Sequence, residues 1–181
     1  MIHRLPGKYF VRPLRLSDID GAYMSWFEDQ EVTRWNSHGK FFKNVDYFRN
    51  YLAGLNSEDQ ITWAICHETD GHIGNISLQM ISFIDRSADF GVLIGNRNHW
   101  GTGTAYEAAK KLIQHGFNKL NLHRIWCCTP APNAAMCKLA KKLGMAEEGC
   151  RREHLFLDGA YVDMIEFGML RSECTYLGAD K

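Results

Sequence analysis

Trp100-Gly101-Thr102-Gly103-Thr104-Ala105 stands between a strand-like run, Ala88–Ile94, and a helical stretch. In that stretch Ala105, Ala108, Ala109, Leu112, Ile113, Gly116, Phe117 and Leu120 fall on one face. Small residues at a helix start let the backbone come close to a ligand. First-turn N–H groups have no partner within the helix, and the helix dipole adds positive potential, so a phosphate or diphosphate suits this place. The common phosphate loops do not match. A dinucleotide fingerprint needs a third glycine where Tyr106 stands, and a Walker loop ends in Gly-Lys-Ser/Thr, which Thr104-Ala105-Tyr106 is not. On the glycines alone, a tight strand-to-helix turn fits equally well.

Upstream, Ile61–Cys66, Ile73–Met80 and Ala88–Ile94 read as consecutive strands, the first two joined at Glu68-Thr69-Asp70-Gly71. Asn44 can cap a helix carrying Val45, Phe48, Tyr51, Leu52 and Leu55 at helical spacing. Lys8–Leu14 is a first strand, Ser17–Asp20 offers a near capping box for a helix to about Phe27, and Glu28–Phe42 is irregular or short helix. Downstream, Arg124–Thr129 is a strand ended by Pro130 and Pro132. Asn133 caps a helix that stops at Leu143-Gly144, and Ala146–Leu157 and Tyr161–Leu170 meet at Asp158-Gly159. The order β-α-α-β-β-β-α-β-α-β-β predicts an α+β fold: a mixed, mostly antiparallel sheet with helices on both faces and one parallel pair in the middle. One domain is expected over 1–181, with a core of about 8–171 and a C-terminal tail, 172–181.

Composition narrows the function. The 181 residues are 45% hydrophobic and 23% charged, which fits a globular core and excludes disorder and coiled coil. Lys plus Arg (21) balances Asp plus Glu (21), so no nucleic-acid partner is expected. The start lacks an apolar signal run, no apolar stretch is long enough to span a bilayer, and six cysteines show no CxxC pair. A cytoplasmic protein with reduced thiols and no membrane partner is expected. His115, His123, Cys127 and Cys128 fit no zinc spacing, so no metal is expected.

Several blocks together resemble the GNAT superfamily of acyl-CoA-dependent N-acetyltransferases, in the branch of ribosomal-protein N-terminal (RimJ/RimL-like) and amino-sugar acetyltransferases. They are Trp100, Gly103 and Ala105 followed by Glu107-Ala108; Asn133-Ala134-Ala135-Met136 with Leu143-Gly144-Met145; and Glu148-Gly149 leading to Asp158-Gly159, Tyr161 and Asp163. Arg12-Pro13-Leu14 with Asp18, and Trp26 with Glu31-Val32, also look like this branch. Trp100 departs from the superfamily's usual Gln or Arg. The likeness runs from about residue 8 to 171.

The resemblance implies a sheet whose fourth and fifth strands, Ala88–Ile94 and Arg124–Thr129, splay apart to admit the pantetheine arm of acetyl-CoA. Leu93, Ile94 and Gly95 would pair with that arm, and the N–H groups from Gly101 through Thr102, Gly103 and Thr104 to Ala105 would hold the diphosphate beside Trp100. Asn133 would approach the coenzyme, cap its own helix, or do both. It implies direct acetyl transfer to a primary amine, on a small molecule, an amino sugar or a protein N-terminus, by a monomer or homodimer.

Such chemistry needs a base, an oxyanion donor and a route for the thiolate. Asp89, on one strand face with Gly91 and Leu93, is a base candidate or an ordinary solvated aspartate; Glu153 is a second candidate, and the Leu93 N–H a candidate oxyanion donor. His99 reads as a surface histidine. Positions where relatives carry an acid or base hold Met136, Ala140 and Leu155, which motivates the alternative of a coenzyme A-binding module with little catalysis. Glu28 and Glu31, with Asp29 and Trp35, border the expected acceptor site. They either draw in a cationic amine or form a solvated face. Trp26, Phe27, Trp35, Phe41 and Phe42 read as core or as a binding wall.

Overall fold

The computed structural model describes residues 2–37, 40, 44–54 and 58–178. Its strands are β1 (His3–Arg4), β2 (Tyr9–Pro13), β3 (Ile61–His67), β4 (Gly71–Ser82), β5 (Ser87–Ile94), β6 (Arg124–Pro130), β7 (Ala146–Leu157) and β8 (Ala160–Leu170). They form one sheet in the order β1-β2-β3-β4-β5-β6-β8-β7, antiparallel throughout except for the β5–β6 pair. The sequence reading has seven of these strands and the parallel pair; β1, two residues long, is too short to show a period.

Alternation along the strands sends consecutive residues to opposite faces. Trp63 and Ile65 join a large cluster with Ala108, Leu112, Ile113 and Phe117 of α3 (Thr104–Asn118) and Ala140 and Leu143 of α4 (Ala134–Leu143). Ala64 and Cys66, between and beside them, join a second cluster with Tyr23, Trp26, Val32 of α1 (Gln30–Thr33), and Phe48 and Leu52 of α2 (Val45–Ala53). The sheet thus carries helices on both faces.

The chain departs from the expected first helix. Tight helical turns occupy Leu16–Asp20 and Met24–Phe27 instead. The Asp18 carboxylate accepts from the Arg12 guanidinium at 2.6 and 2.8 Å and from the Arg15 N–H at 2.8 Å, which pins it toward β2. Asn44 caps α2 as expected, its side chain accepting from the Tyr47 N–H; Leu55, Phe41 and Phe42 lie outside the described residues. Gly144 ends α4 at φ +88°, and Asp158 and Gly159, both at positive φ, turn the β7–β8 hairpin. The segment after Arg171 packs back on α3, where the Gln114 side-chain amide donates to the Tyr176 carbonyl at 2.6 Å.

Candidate active site

Strands β5 and β6 pair only at Ser87–Arg124, Ala88–Ile125 and Asp89–Trp126. Beyond these, β5 stays paired with β4 to Ile94, and β6 with β8 to Pro130. From Phe90 and Cys127 onward the two strands therefore face each other without pairing, leaving backbone groups along a gap that an amide-bearing chain can enter.

The gap opens toward the glycine loop. Gly101 and Gly103 have φ of +74° and +85°, and a Cβ at either would meet nothing within 4 Å. Tight packing is thus not why they are glycine. The left-handed backbone is, and it leaves open space over the start of α3. Thr102 braces the turn, its hydroxyl donating to the His99 carbonyl at 2.9 Å and lying 2.9 Å from the Thr104 hydroxyl. Among the described residues, the N–H groups of Gly101, Thr102, Gly103 and Ala105 have no hydrogen-bond partner, as a helix start without a side-chain cap requires. The Trp100 indole N–H donates to the Ile94 carbonyl at 2.8 Å, tying the loop to the end of β5.

His99 is not a surface residue. It is 6% exposed, with Nε2 2.8 Å from Asp70 and Nδ1 3.0 Å from the Tyr9 hydroxyl. The sequence offered no sign of this, because the partners lie 29 and 90 positions away. The ligand-type atoms of His67, Asp70 and His99 lie within 4.8 Å of one another, but both His99 nitrogens are engaged, and the group brackets the loop against β2 and β3.

Other expected contacts are partly occupied. The Gly95 N–H donates to the Ile73 carbonyl at 2.9 Å, so it does not face the gap; a Cβ there would sit 1.9 Å from Trp26, which explains the glycine. Asn133 caps α4: its side-chain oxygen accepts from the Met136 N–H, while its amide donates to the Thr129 hydroxyl at 3.1 Å. Cys127 is buried, which pushes its thiol up to about 12 and leaves it inert.

On the sheet face opposite α3 lies a cavity of about 220 Å³. Tyr23, Phe27, Tyr47, Phe48 and Tyr51 wall it, and Thr62, Asn75, Ser77 and Gln79 meet Gly91 and Leu93 along its floor. Asp89, one step down the same face of β5, stands where β5 and β6 part. Burial, against a hydrogen bond from the Phe90 N–H, pushes its carboxyl up to about 6.

The acidic residues expected at the acceptor mouth are elsewhere. Glu28 and Glu31 are exposed and do not line the cavity, Asp29 caps α1, and Trp35 stacks under Arg34. The segment curls into short helical turns that aim Glu28 and Glu31 at solvent. Glu153 is exposed in a bulge of β7, a strand separated from β6 by β8, so it cannot serve this gap.

Residues 9–146 match the family of GNAT acetyltransferase domains. The chain belongs to the GNAT acetyltransferase family. It is 34% identical over 168 residues to the N-acetyltransferase p20 of Bacillus licheniformis, covering 90% of this chain and 93% of that one. It is 30% identical over 181 aligned positions to spermidine N(1)-acetyltransferase of Escherichia coli K12, covering 94% and 89%. Among solved structures, spermidine N-acetyltransferase from Vibrio cholerae with CoA and spermine superposes with a TM-score of 0.81 at 22% identity, covering 92% and 97%. The ribosomal L7/L12 acetyltransferase RimL with coenzyme A gives 0.84 at 16%, covering 94% and 98%. This GNAT chain is thus an N-acetyltransferase with acetyl-CoA as its acyl donor.

Proposed function

We propose that the chain transfers the acetyl group to a primary amine by direct attack in a ternary complex. The observation that carries this reading is a coincidence in space: the gap between β5 and β6 runs into the unpartnered N–H groups at the start of α3. In this reading the pantetheine arm lies along Phe90–Ile94, and the diphosphate rests on the N–H groups of Gly101–Ala105. Trp100 holds the rim closed against the Ile94 carbonyl.

Transfer then needs a neutral amine. An ammonium of ordinary pKa, about 10, must lose a proton, and Asp89 is the carboxylate poised to take it. With its carboxyl at about 6 it is mostly ionised at neutral pH and still basic enough to accept. The Leu93 N–H faces the developing oxyanion, and the amine nitrogen bonds to the carbonyl carbon as the carbon–sulfur bond breaks. Met136 and Ala140 cannot protonate sulfur, so the thiolate, with a thiol pKa near about 8.5, leaves toward solvent. Asn133 acts as helix cap. The six free cysteines fit a reducing, cytoplasmic setting, and one domain acts as a monomer or homodimer.

Calorimetry and thiol-release assays test the reading. It expects one acetyl-CoA per chain and free thiol only when an amine is present. Absence of coenzyme binding, or thiol release indifferent to amine, would refute it.

A further inference from the structure

Resting on that transfer reading, we infer that the acceptor is a compact primary amine with a single positive charge on a body bearing hydroxyl or amide groups. The cavity's charge inventory leads there. Its lining is aromatic on one side and amide or hydroxyl on the other, with no carboxylate among the described residues. Of the residues outside the description, those adjoining the cavity's elements in sequence, 38, 39, 41–43 and 55–57, include no acid.

Glu28 and Glu31 are exposed and off the cavity lining, and most other neighbouring acids on this side of the sheet are committed. Glu148 pairs with Arg124, Glu166 with Arg151, and Asp18 with Arg12 at 2.6 Å, while Asp29 caps α1. Among the described residues Asp89 is left as the one carboxylate at the inner end, enough for one ammonium. A second ammonium entering beside the rings would lose its water without gaining a counter-charge, which is costly. Tyrosine faces soften that cost only modestly.

Shape and polarity define the rest. A volume of about 220 Å³ is small for a ligand site and suits one compact ring or residue rather than a length of extended chain. Asn75, Ser77 and Gln79 come from alternate positions of β4 and set amides and a hydroxyl in a row, opposite Tyr23, Phe27 and Phe48. The Gln79 amide donates to the Ser77 hydroxyl and Asn75 Oδ1 lies 2.7 Å from His72 Nε2, which leaves the Gln79 oxygen and the Ser77 hydroxyl proton for a ligand. A ring or short chain with one apolar face and several hydroxyl or amide groups satisfies both sides at once. The fold shared with the Vibrio cholerae polyamine enzyme does not carry its acceptor, because acceptor choice lies in these side chains.

The test compares kcat/KM at saturating acetyl-CoA for glucosamine, serinamide and ethanolamine with that for spermidine and for a seven-residue peptide with a free N-terminus. The best hydroxylated monoamine should exceed spermidine and the peptide at least about tenfold. A lead by spermidine or the peptide overturns the inference and leaves transfer intact. No turnover with any amine, despite acetyl-CoA binding, removes the transfer reading itself and the inference with it. Gln79→Glu adds a carboxylate to the floor and should raise the spermidine-to-monoamine ratio at least about fivefold. Should that variant not fold, Tyr47→Glu at the half-exposed mouth makes the same change. An unmoved ratio in a folded variant means the acceptor does not sit in this cavity.

Discussion

The donor and acceptor halves of the site are built from different materials. On the donor side the working groups are backbone: an unpaired strand edge from Phe90 to Ile94 and bare N–H groups after Trp100. On the acceptor side they are side chains, gathered from the turn before α1, from α2 and from three strands. Backbone groups are the same in every relative, so one coenzyme can be held across a family. Side chains change freely, so acceptors diverge on a common sheet. Breaking each half should therefore give different symptoms.

The largest effect belongs to Gly103→Glu. It puts a carboxylate over the diphosphate seat and a Cβ at φ +85°. The Kd for acetyl-CoA should rise by about 1000-fold, roughly 4 kcal/mol. Gly103→Ala separates the causes: strain alone should cost about 1–2 kcal/mol. A Kd for Gly103→Glu within about tenfold of the parent would move the diphosphate elsewhere.

Gly95→Ala attacks the joint between the halves. The added methyl would stand 1.9 Å from Trp26, whose turn also carries Phe27 of the cavity wall. Urea unfolding should show a loss of about 3 kcal/mol, at the upper end for overpacking. Acceptor KM should rise along with donor Kd. A loss below about 1 kcal/mol would mean Trp26 yields readily and the halves are mechanically independent.

Asp89→Asn should sharpen the contrast by separating activity from stability. As a base, Asp89 is expected to contribute about 100-fold to kcat, and its loss should remove the acid limb of kcat/KM near pH 6. Its folded carboxyl, about 6, lies above the ordinary 3.8. As pH climbs from about 4 to 6 the unfolded chain ionises first, so the parent loses up to about 3 kcal/mol of stability over that window. Asn removes that loss, and the variant should melt higher than the parent at pH 7 while turning over more slowly. Equal melting temperatures together with an intact acid limb would take Asp89 out of the mechanism.

What could be read from sequence follows the same division. The glycine loop, the α3 face and the strand order are local patterns with a physical period, and the splay follows from the family those patterns resemble. His99 was misread because its burial depends on Tyr9 and Asp70, which no period connects to it. The acceptor wall was misplaced for a similar reason. Glu28 and Glu31 look like an acidic mouth in sequence, but tight turns at Leu16–Asp20 and Met24–Phe27 swing that segment outward and bring Tyr23 in. Those turns replace a helix because Asp18 is tied to Arg12 across six residues, a tertiary preference that overrides a capping pattern.

Asn133 sits on the border and gives the smallest expected effect. Both ends of its amide are used within the protein, the oxygen by the Met136 N–H and the nitrogen by the Thr129 hydroxyl, so it fastens α4 to the end of β6 that has parted from β5. Asn133→Ala should cost about 1 kcal/mol of stability, as loss of a helix cap does, and change the Kd for acetyl-CoA less than about fivefold. Asn133→Asp keeps an acceptor for the helix start, where negative charge is favoured, and should recover most of that stability. A folded Asn133→Asp chain that loses more than about tenfold in acetyl-CoA affinity would put this side chain beside the diphosphate. The donor half would then no longer be backbone alone.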